Sequence, residues 1–503
     1  MRCVRVARGF LLDLEAPTLN PMSLLATDGY KFSMAEAGWP LRMETFYYAQ
    51  RKGGPGLIPF DARAEIEALL PTVEPEDFAY LATHEYEMGA GFKAAMARRS
   101  EVTVRALPKG CWFLPREPVV SVTGPSGVVS WLEPLLLQYN YLIQVASLAM
   151  ADLDALAAEV STVTCEAQRE IVLATLDAVG VHAPPVRADP EAYFARVEAA
   201  ASELVGIVGD PRRIFEVGLR SVTCLPQHTV ALEACKAAGI ERTSHVLGAK
   251  KLGMVPVGTM GHEHVQRFGS DEAAFRAMRD RRPGRSSYLL DTFDTIRSGI
   301  PAAFRLMEED KHRGDSIRYD SGDKVAQYRY AAAEAKRRGL RPVQILEDAF
   351  DAPLTRRFEE LRAETGLAPE EQFYGYGGQL VGVTSGTRLL RDRVAAVYKL
   401  SATAGQPTMK FGDEAGAGKE SVPGKPLVFR RIRGAGGEGP AGIVGQEGEV
   451  PPEGYVELSG VPPGEGPRGK VEGNVELSAE TRVLVEKLRS ERASLLAAAG
   501  RST

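Results

Sequence analysis

Along residues 24–148, apolar and polar positions alternate in short runs broken by Gly and Pro: ETFYYAQR (44–51), EVTVRALP (101–108) and EPVVSVTG (117–124). This period of two predicts a small sheet domain. WLEPLLLQYNYLIQVASLAM (131–150) is apolar almost throughout at helical length, which predicts a buried helix. Residues 150–212 are rich in Ala and Glu with helical patterns, interrupted by HAPPVRADP (182–190), and read as a helical connection or insertion. From 217 to 400, short β-branched runs recur, each followed by a helical segment. Their centres near Val255, Tyr288, Ile317, Val343 and Phe373 stand 33, 29, 26 and 30 residues apart. That βα period predicts a parallel sheet closed or nearly closed as a barrel. Residues 405–471 are dense in Gly, Pro, Lys and Glu, with short strands such as KPLVFRRI (425–432), and an amphipathic surface helix follows at 478–499. The expected organisation is an N-terminal extension (1–22), a β-rich domain with a helix (23–148), a helical connection (149–212), an α/β barrel carrying the site (213–400), and a loop-rich segment with a terminal helix (401–503).

Composition narrows the function. The chain has 503 residues, 44% hydrophobic and 25% charged, ample for a large core. A net charge of −5 gives no general basic field for nucleic acid or a membrane surface, so any phosphate must be held by a local pocket. No stretch approaches the roughly 20 apolar residues of a membrane span. Cys3, Cys111, Cys165, Cys224 and Cys235 are odd in number and form no CxxC pair, as expected of reduced thiols in a cytoplasmic protein.

Polar residues collect at the C-terminal side of the barrel runs: His262 and Glu263, Asp291 and Asp294, Asp320 and Asp323, Asp348, then Gly377-Gly378. In α/β barrels the loops after the strands converge on one face, which carries the site. One or two of these carboxylates are expected to cap helices instead. Arg220, Arg318 and Arg51 suit anionic groups. Gly377 and Gly378 let backbone N–H groups approach a phosphate. Asp291, Asp320, Asp323 and Asp348 suit Mg²⁺ or sugar hydroxyls. With no Walker A motif and no GxGxxG after a strand, the inventory points to a phosphorylated sugar held at an assembled barrel-top pocket. His262, beside Glu263, is the candidate nucleophile, its ring oriented by the neighbouring carboxylate. His245 and His264 are read as structural.

With these residues in place, the chain from Leu25 to about Arg430, except 150–212, resembles the nicotinate phosphoribosyltransferase family and its nicotinamide-using relatives. The resemblance rests on LLATDGYKFSM (24–34), AQRKGG (49–54), EVGLRS (216–221), GTMGHE (258–263), LLDTFDTIRSG (289–299), IRYDSGD (317–323), YGYGGQLV (374–381) and AVYKL (396–400). It implies an irregular α/β barrel of the type II phosphoribosyltransferase kind with an N-terminal open-faced β-sandwich, in a homodimer with shared active sites. The implied reaction joins nicotinate to phosphoribosyl pyrophosphate with loss of pyrophosphate, assisted by Mg²⁺. It is coupled to hydrolysis of ATP, a co-substrate, through a phosphohistidine at His262. By position, Arg220 and Arg318 hold phosphate or carboxylate, Asp291 and Asp320 serve ribose and metal, and Gly377 and Gly378 cradle the sugar phosphate. Asp28 and Tyr30 reach into the neighbouring subunit's pocket.

Ser244 stands where the amide-using enzymes place an Asp, which favours nicotinate, whereas TDGYK (27–31) leans to the amide branch. Val217 replaces an aromatic, Glu241-Arg242 replaces Asp-Gly, Gly261 replaces Ala, and Glu347 replaces a smaller residue. The extra cation at Arg242 suits a second carboxylate or pairs with Glu241. The rival readings are a nicotinamide-specific enzyme, a catalytically silent barrel relative that binds without turnover, and a Schiff-base lyase using Lys399.

Overall fold

The computed structural model describes residues 22–310, 314–382, 388–411, 420–432, 439–461 and 469–499. Nearly all of the expected N-terminal extension, residues 1–21, lies outside them. All five β-branched runs of the barrel form strands, joined by two more. In spatial order the sheet runs Val255–Pro256, Arg242–Thr243, Ile214–Glu216, Gln372–Tyr376, Val343–Leu346, Ser316–Tyr319 and Ser287–Leu289, with every pairing parallel. Among the described residues the two end strands do not pair with each other. The result is an open, strongly curled half-barrel rather than a closed one. The two strands missing from the periodicity, at 214–216 and 242–243, hold three and two residues.

Alternation within the longer strands sorts the side chains. Tyr319 donates to Gln344 at 2.8 Å and Tyr328 to Gln372 at 2.5 Å under the covering helices. Arg318, Asp320, Glu347 and Phe373, at the intervening positions, line the hollow of the sheet. Asp323 and Asp351 cap the next two helices by accepting from Ala326 and Leu354 N–H groups, and Gly339 and Gly366 end them at φ 69° and 74°. Asp294 likewise accepts from the Arg297 N–H. The strand-end carboxylates are thus divided between capping, at Asp294 and Asp323, and the site.

An antiparallel sheet packs beside the barrel, in the order Gln406–Pro407, Ala396–Thr403, Met43–Gln50, Val120–Pro125 and Thr103–Ala106. Its longest pairing joins Met43–Gln50 to Ala396–Thr403, more than 300 residues later, so this layer draws on both ends of the chain. A four-stranded sheet covers it, in the order Tyr455–Glu457, Pro426–Arg431, Gly442–Gln446 and Val475–Leu477. Ser121 donates to the Pro426 carbonyl, and the Arg430 guanidinium meets buried Glu117 at 2.5 Å. The stretch expected to be loop-rich therefore supplies strands to the accessory β-layers. Beneath them the helix Glu133–Ala151 is buried nearly all round, as its composition predicts.

Residues 150–212 form three helices. The last, Pro190–Val208, packs on Leu225–Ala237 and Ala352–Thr365 outside the barrel. A short sequence repeat ties this region to the barrel: VTCEAQ (163–168) and VTCLPQ (222–227). In each, the Thr N–H and hydroxyl both donate to the Gln side chain four residues on. The two buried cysteines that start the helices meet with their sulfurs 3.8 Å apart.

Candidate active site

The strand ends and the accessory sheet enclose a cavity of about 590 Å³. Of the candidates from sequence, Asp28, Tyr30, Arg51, Arg220, Ser244, His262, Glu263, Arg318, Asp320 and Asp348 line it. Asp291 stands behind the wall, bonded to three residues that line it, His262, Ser321 and Lys410. Gly377 and Gly378 are outside the wall, under the 217–221 turn. A Cβ on Gly377 would lie 3.3 Å from the Val217 carbonyl, and one on Gly378 would lie 3.1 Å from the Ser221 hydroxyl.

His262 opens a helix, His262–Phe268, directly after a barrel strand. Its Nε2 meets Asp291 at 2.8 Å and Asp320 at 3.6 Å. Burial, followed by the nearby Lys410 ammonium, lowers its pKa to about 4, against the pull of both carboxylates, so the ring is neutral at physiological pH. Burial alone raises the Asp291 carboxyl, but Lys410, 3.3 Å away, and His262 outweigh it and hold it well below the usual range. Asp320 is similarly held at about 2, opposed by burial and by Asp291.

Glu263 does not orient the His262 ring as the sequence suggests. Consecutive residues on a helix point about 100° apart. Glu263 instead turns to Ser130 and to Lys31 at 2.8 Å. Lys31 also meets Glu133 at 2.5 Å, and Tyr30 donates to Glu133 at 2.6 Å. The orienting carboxylate is Asp291, from a different strand.

Asp28 and Tyr30 line the cavity of their own chain, where the resemblance implied the neighbour's. Their segment is joined by backbone to the strand-end loop: Gly29 N–H donates to the Ser244 carbonyl at 2.7 Å, and Asp28 bridges His245. The Ser244 hydroxyl donates to Asp28 at 2.7 Å, while burial raises Asp28 to about 6. Ser244, expected to serve a substrate carboxylate, is thus directed first at another side chain. His245 and His264, read from sequence as structural, do not line the cavity. His264 Nε2 donates to the Ala274 carbonyl at 3.0 Å, and His245 meets buried His228 at 2.9 Å.

Four groups escaped the sequence reading: Lys31, Glu133, Lys399 as part of this site, and Lys410. Lys410 lies 3.3 and 3.9 Å from Asp291 and Asp320. Burial, then Lys410, lowers Lys399 to about 7. Lys399 lies in AVYKL (396–400), but no local motif announces Lys410, and both come to the site through the strand Ala396–Thr403, which pairs with Met43–Gln50, and the segment after it. Arg220 remains a full cation: burial opposes its charge, but Tyr30, Glu133, Asp320 and Asp28 more than compensate. Among the described residues it makes no ion pair within the cavity.

No family model matches this sequence. Nicotinate phosphoribosyltransferases from Porphyromonas gingivalis and Vibrio cholerae share the fold. They superpose with TM-scores of 0.56 and 0.54 at 19% and 17% identity, covering 80% of this chain in each case and 96% and 91% of theirs. Fold and site together therefore define an irregular (β/α) half-barrel of the phosphoribosyltransferase type with an accessory β-domain. In sequence, the chain is 27% identical over 421 residues to a nicotinate phosphoribosyltransferase of Mycobacterium tuberculosis, spanning 81% of this chain and 75% of the relative. It is 28% identical over 420 residues to the human nicotinate phosphoribosyltransferase, spanning 78% and 72%. Over most of its length the chain is thus similar in sequence to nicotinate phosphoribosyltransferases.

Proposed function

We propose that this protein joins nicotinate to phosphoribosyl pyrophosphate, forming nicotinate mononucleotide and pyrophosphate, with ATP hydrolysis passing through a phosphohistidine at His262. The observation that carries the reading is the convergence of His262, Asp320, Arg220 and Arg318 on one cavity with Asp291 behind them. In this reading Asp291 accepts from Nε2 of His262, fixing the tautomer that leaves the lone pair on Nδ1 for attack on phosphorus. Arg220, Arg318, Arg51 and Lys399 bind the anionic donor, and Tyr30 packs against the pyridine ring. Gly377 and Gly378 shape the turn that receives the sugar phosphate, and Asp348 holds a sugar hydroxyl.

His262, Asp291 and Asp320 offer ligand atoms within 4.8 Å of one another. The two carboxylates already hold the Lys410 ammonium between them, and hard oxygen donors suit Mg²⁺. Asp291 and Asp320 would hold that ion, which when bound supplies positive charge to the departing pyrophosphate. Asp320 also faces the site where positive charge grows on the ribose. A homodimer and a cytoplasmic location complete the proposal.

The decisive experiment is incubation with Mg-ATP followed by intact mass and an acid-lability assay. Wild type gains one acid-labile phosphoryl group and His262→Ala gains none; labelling that survives the substitution removes the proposed role. One observation favours a second reading, transfer to nicotinamide: Asp28 places a carboxylate beside Ser244 that an amide N–H can donate to. Turnover of each base by the pure protein separates the two.

A further inference from the structure

The cavity does not stop at the strand ends. Asp320, Glu347 and Ser244 line its mouth, while Ser287, Ser316, Val343, Phe373 and Arg242 line its floor, at the opposite ends of the same strands. A four-residue strand spans about 13 Å, so the space runs the depth of the half-barrel. A closed (β/α) barrel fills this volume with layers of bulky branched side chains. Here three inward positions are Ser287, Ser316 and Gly375. A Cβ on Gly375 would stand only 2.7 Å from Glu347 Cγ and from the Phe215 ring.

The hollow is polar and incompletely satisfied. Ser287 Oγ and Arg318 Nε are buried without a hydrogen-bond partner. Buried polar atoms of this kind are few in folded proteins, and each asks for a ligand or a water. On the floor the Arg242 guanidinium lies 5.9 Å from the Phe373 ring centroid. It forms no ion pair among the described residues. Glu241, its sequence neighbour, does not neutralise it. The other floor cation, Arg285, is matched to Glu85, and Glu370 is the acidic group nearby on the wall. A guanidinium without an ion-pair partner, a hydroxyl and a guanidinium N–H without hydrogen-bond partners therefore face one space below the place assigned to the base.

We propose that this hollow is a subsite continuous with the base site, and that Arg242 determines specificity there by binding an anionic substituent on the ring edge remote from the reacting nitrogen. The ligand class is a pyridine carboxylate bearing a second carboxylate. The inference rests on the proposed function for the orientation of the base, with its nitrogen toward the sugar. The guanidinium and a carboxylate form charge-assisted hydrogen bonds that are strong out of water.

The test compares nicotinate with dinicotinate, the pyridine carrying carboxylates on both carbons meta to nitrogen. Equilibrium binding by calorimetry and competition in the transferase assay are measured for wild type, Arg242→Gln and Arg242→Lys on the full chain. The expected result is dinicotinate binding to wild type and a fall of about tenfold or more in the dinicotinate-to-nicotinate affinity ratio in Arg242→Gln, partly restored in Arg242→Lys. An unchanged ratio, or no dinicotinate binding by a wild type that binds nicotinate, overturns the subsite. If nicotinate is neither bound nor turned over while dinicotinate binds in an Arg242-dependent way, the proposed function fails and the subsite stands. If neither ligand binds, both fail.

Discussion

Gly258→Ala should disable the site without unfolding the protein. A Cβ on Gly258 would lie 2.3 Å from the Gly29 carbonyl carbon, 2.4 Å from the Tyr30 nitrogen and 2.6 Å from the Gly29 oxygen. All three are backbone atoms, so no rotamer change relieves the overlap. Ordinary contact begins near 3.4 Å, and the two segments must separate by about 1 Å. The segment displaced carries Asp28 and Tyr30, and its Gly29 N–H is held by the Ser244 carbonyl at 2.7 Å. Overpacking costs about 1–3 kcal/mol, and stretching that backbone hydrogen bond adds about 1 kcal/mol. A fold stable by about 5–15 kcal/mol tolerates such a loss, but a 1 Å misplacement of substrate-positioning groups costs about 100-fold in rate. The assay is kcat/KM for the base at saturating phosphoribosyl donor, with circular dichroism to confirm the fold. Gly89→Ala is the control, because nothing lies within 4 Å of its added Cβ. A Gly258→Ala enzyme within threefold of wild type would refute the claim that this crossing of backbones sets the position of Asp28 and Tyr30.

Three further outcomes follow from the buried charges and hydrogen bonds. Lys31→Met strands Glu133 and Glu263 as buried carboxylates and should cost about 3–5 kcal/mol in denaturant titration, with Lys31→Met/Glu133→Gln/Glu263→Gln recovering most of it; equal stabilities for the single and triple variants would refute the pairing. Lys399, lowered to about 7 by burial and by Lys410, is largely neutral at pH 8 and should be recharged by an anionic ligand. Binding of the phosphoribosyl donor at pH 8 should therefore take up most of one proton, read by calorimetry in buffers of different ionisation enthalpy, and Lys399→Met should abolish it. Gln227→Ala removes the acceptor for both Thr223 donors at a buried helix start and should lower stability by about 1–3 kcal/mol, whereas an unaltered midpoint would show that the cap contributes nothing.

The barrel was legible through the regular spacing of its apolar runs, 26 to 33 residues apart. The runs around Tyr288, Ile317, Val343 and Phe373 announced both their strands and the face their polar tips share. The strands at 214–216 and 242–243 were not read as strands, although EVGLRS marked one as a motif. Proximity in sequence misled at Glu263, which lies next to His262 in the chain but faces Lys31. Long-range pairing hid Lys410, and the place of Lys399 in this site, because both depend on a strand that leaves the barrel to pair with residues 43–50. The same pairing explains why the accessory β-layers could not be bounded from the N-terminal side alone.

An acidic chain can hold a polyanion only if its cavity hides more negative charge than positive. Lys31 is spent on Glu133 and Glu263, and Lys410 on Asp291 and Asp320. Asp28 is raised to about 6 by burial and accepts from Ser244. With the carboxylates answered internally, Arg220 at the mouth and Arg242 on the floor are left facing open space, and Lys399 stands ready to gain charge. The field that a ligand meets is thus set by which cations lack partners rather than by how many line the wall. On this reasoning a substitution that frees a carboxylate, such as Lys410→Met, should weaken binding of an anionic donor more than one that removes an unpaired cation. It deletes a positive charge and also exposes two negative ones that it had matched.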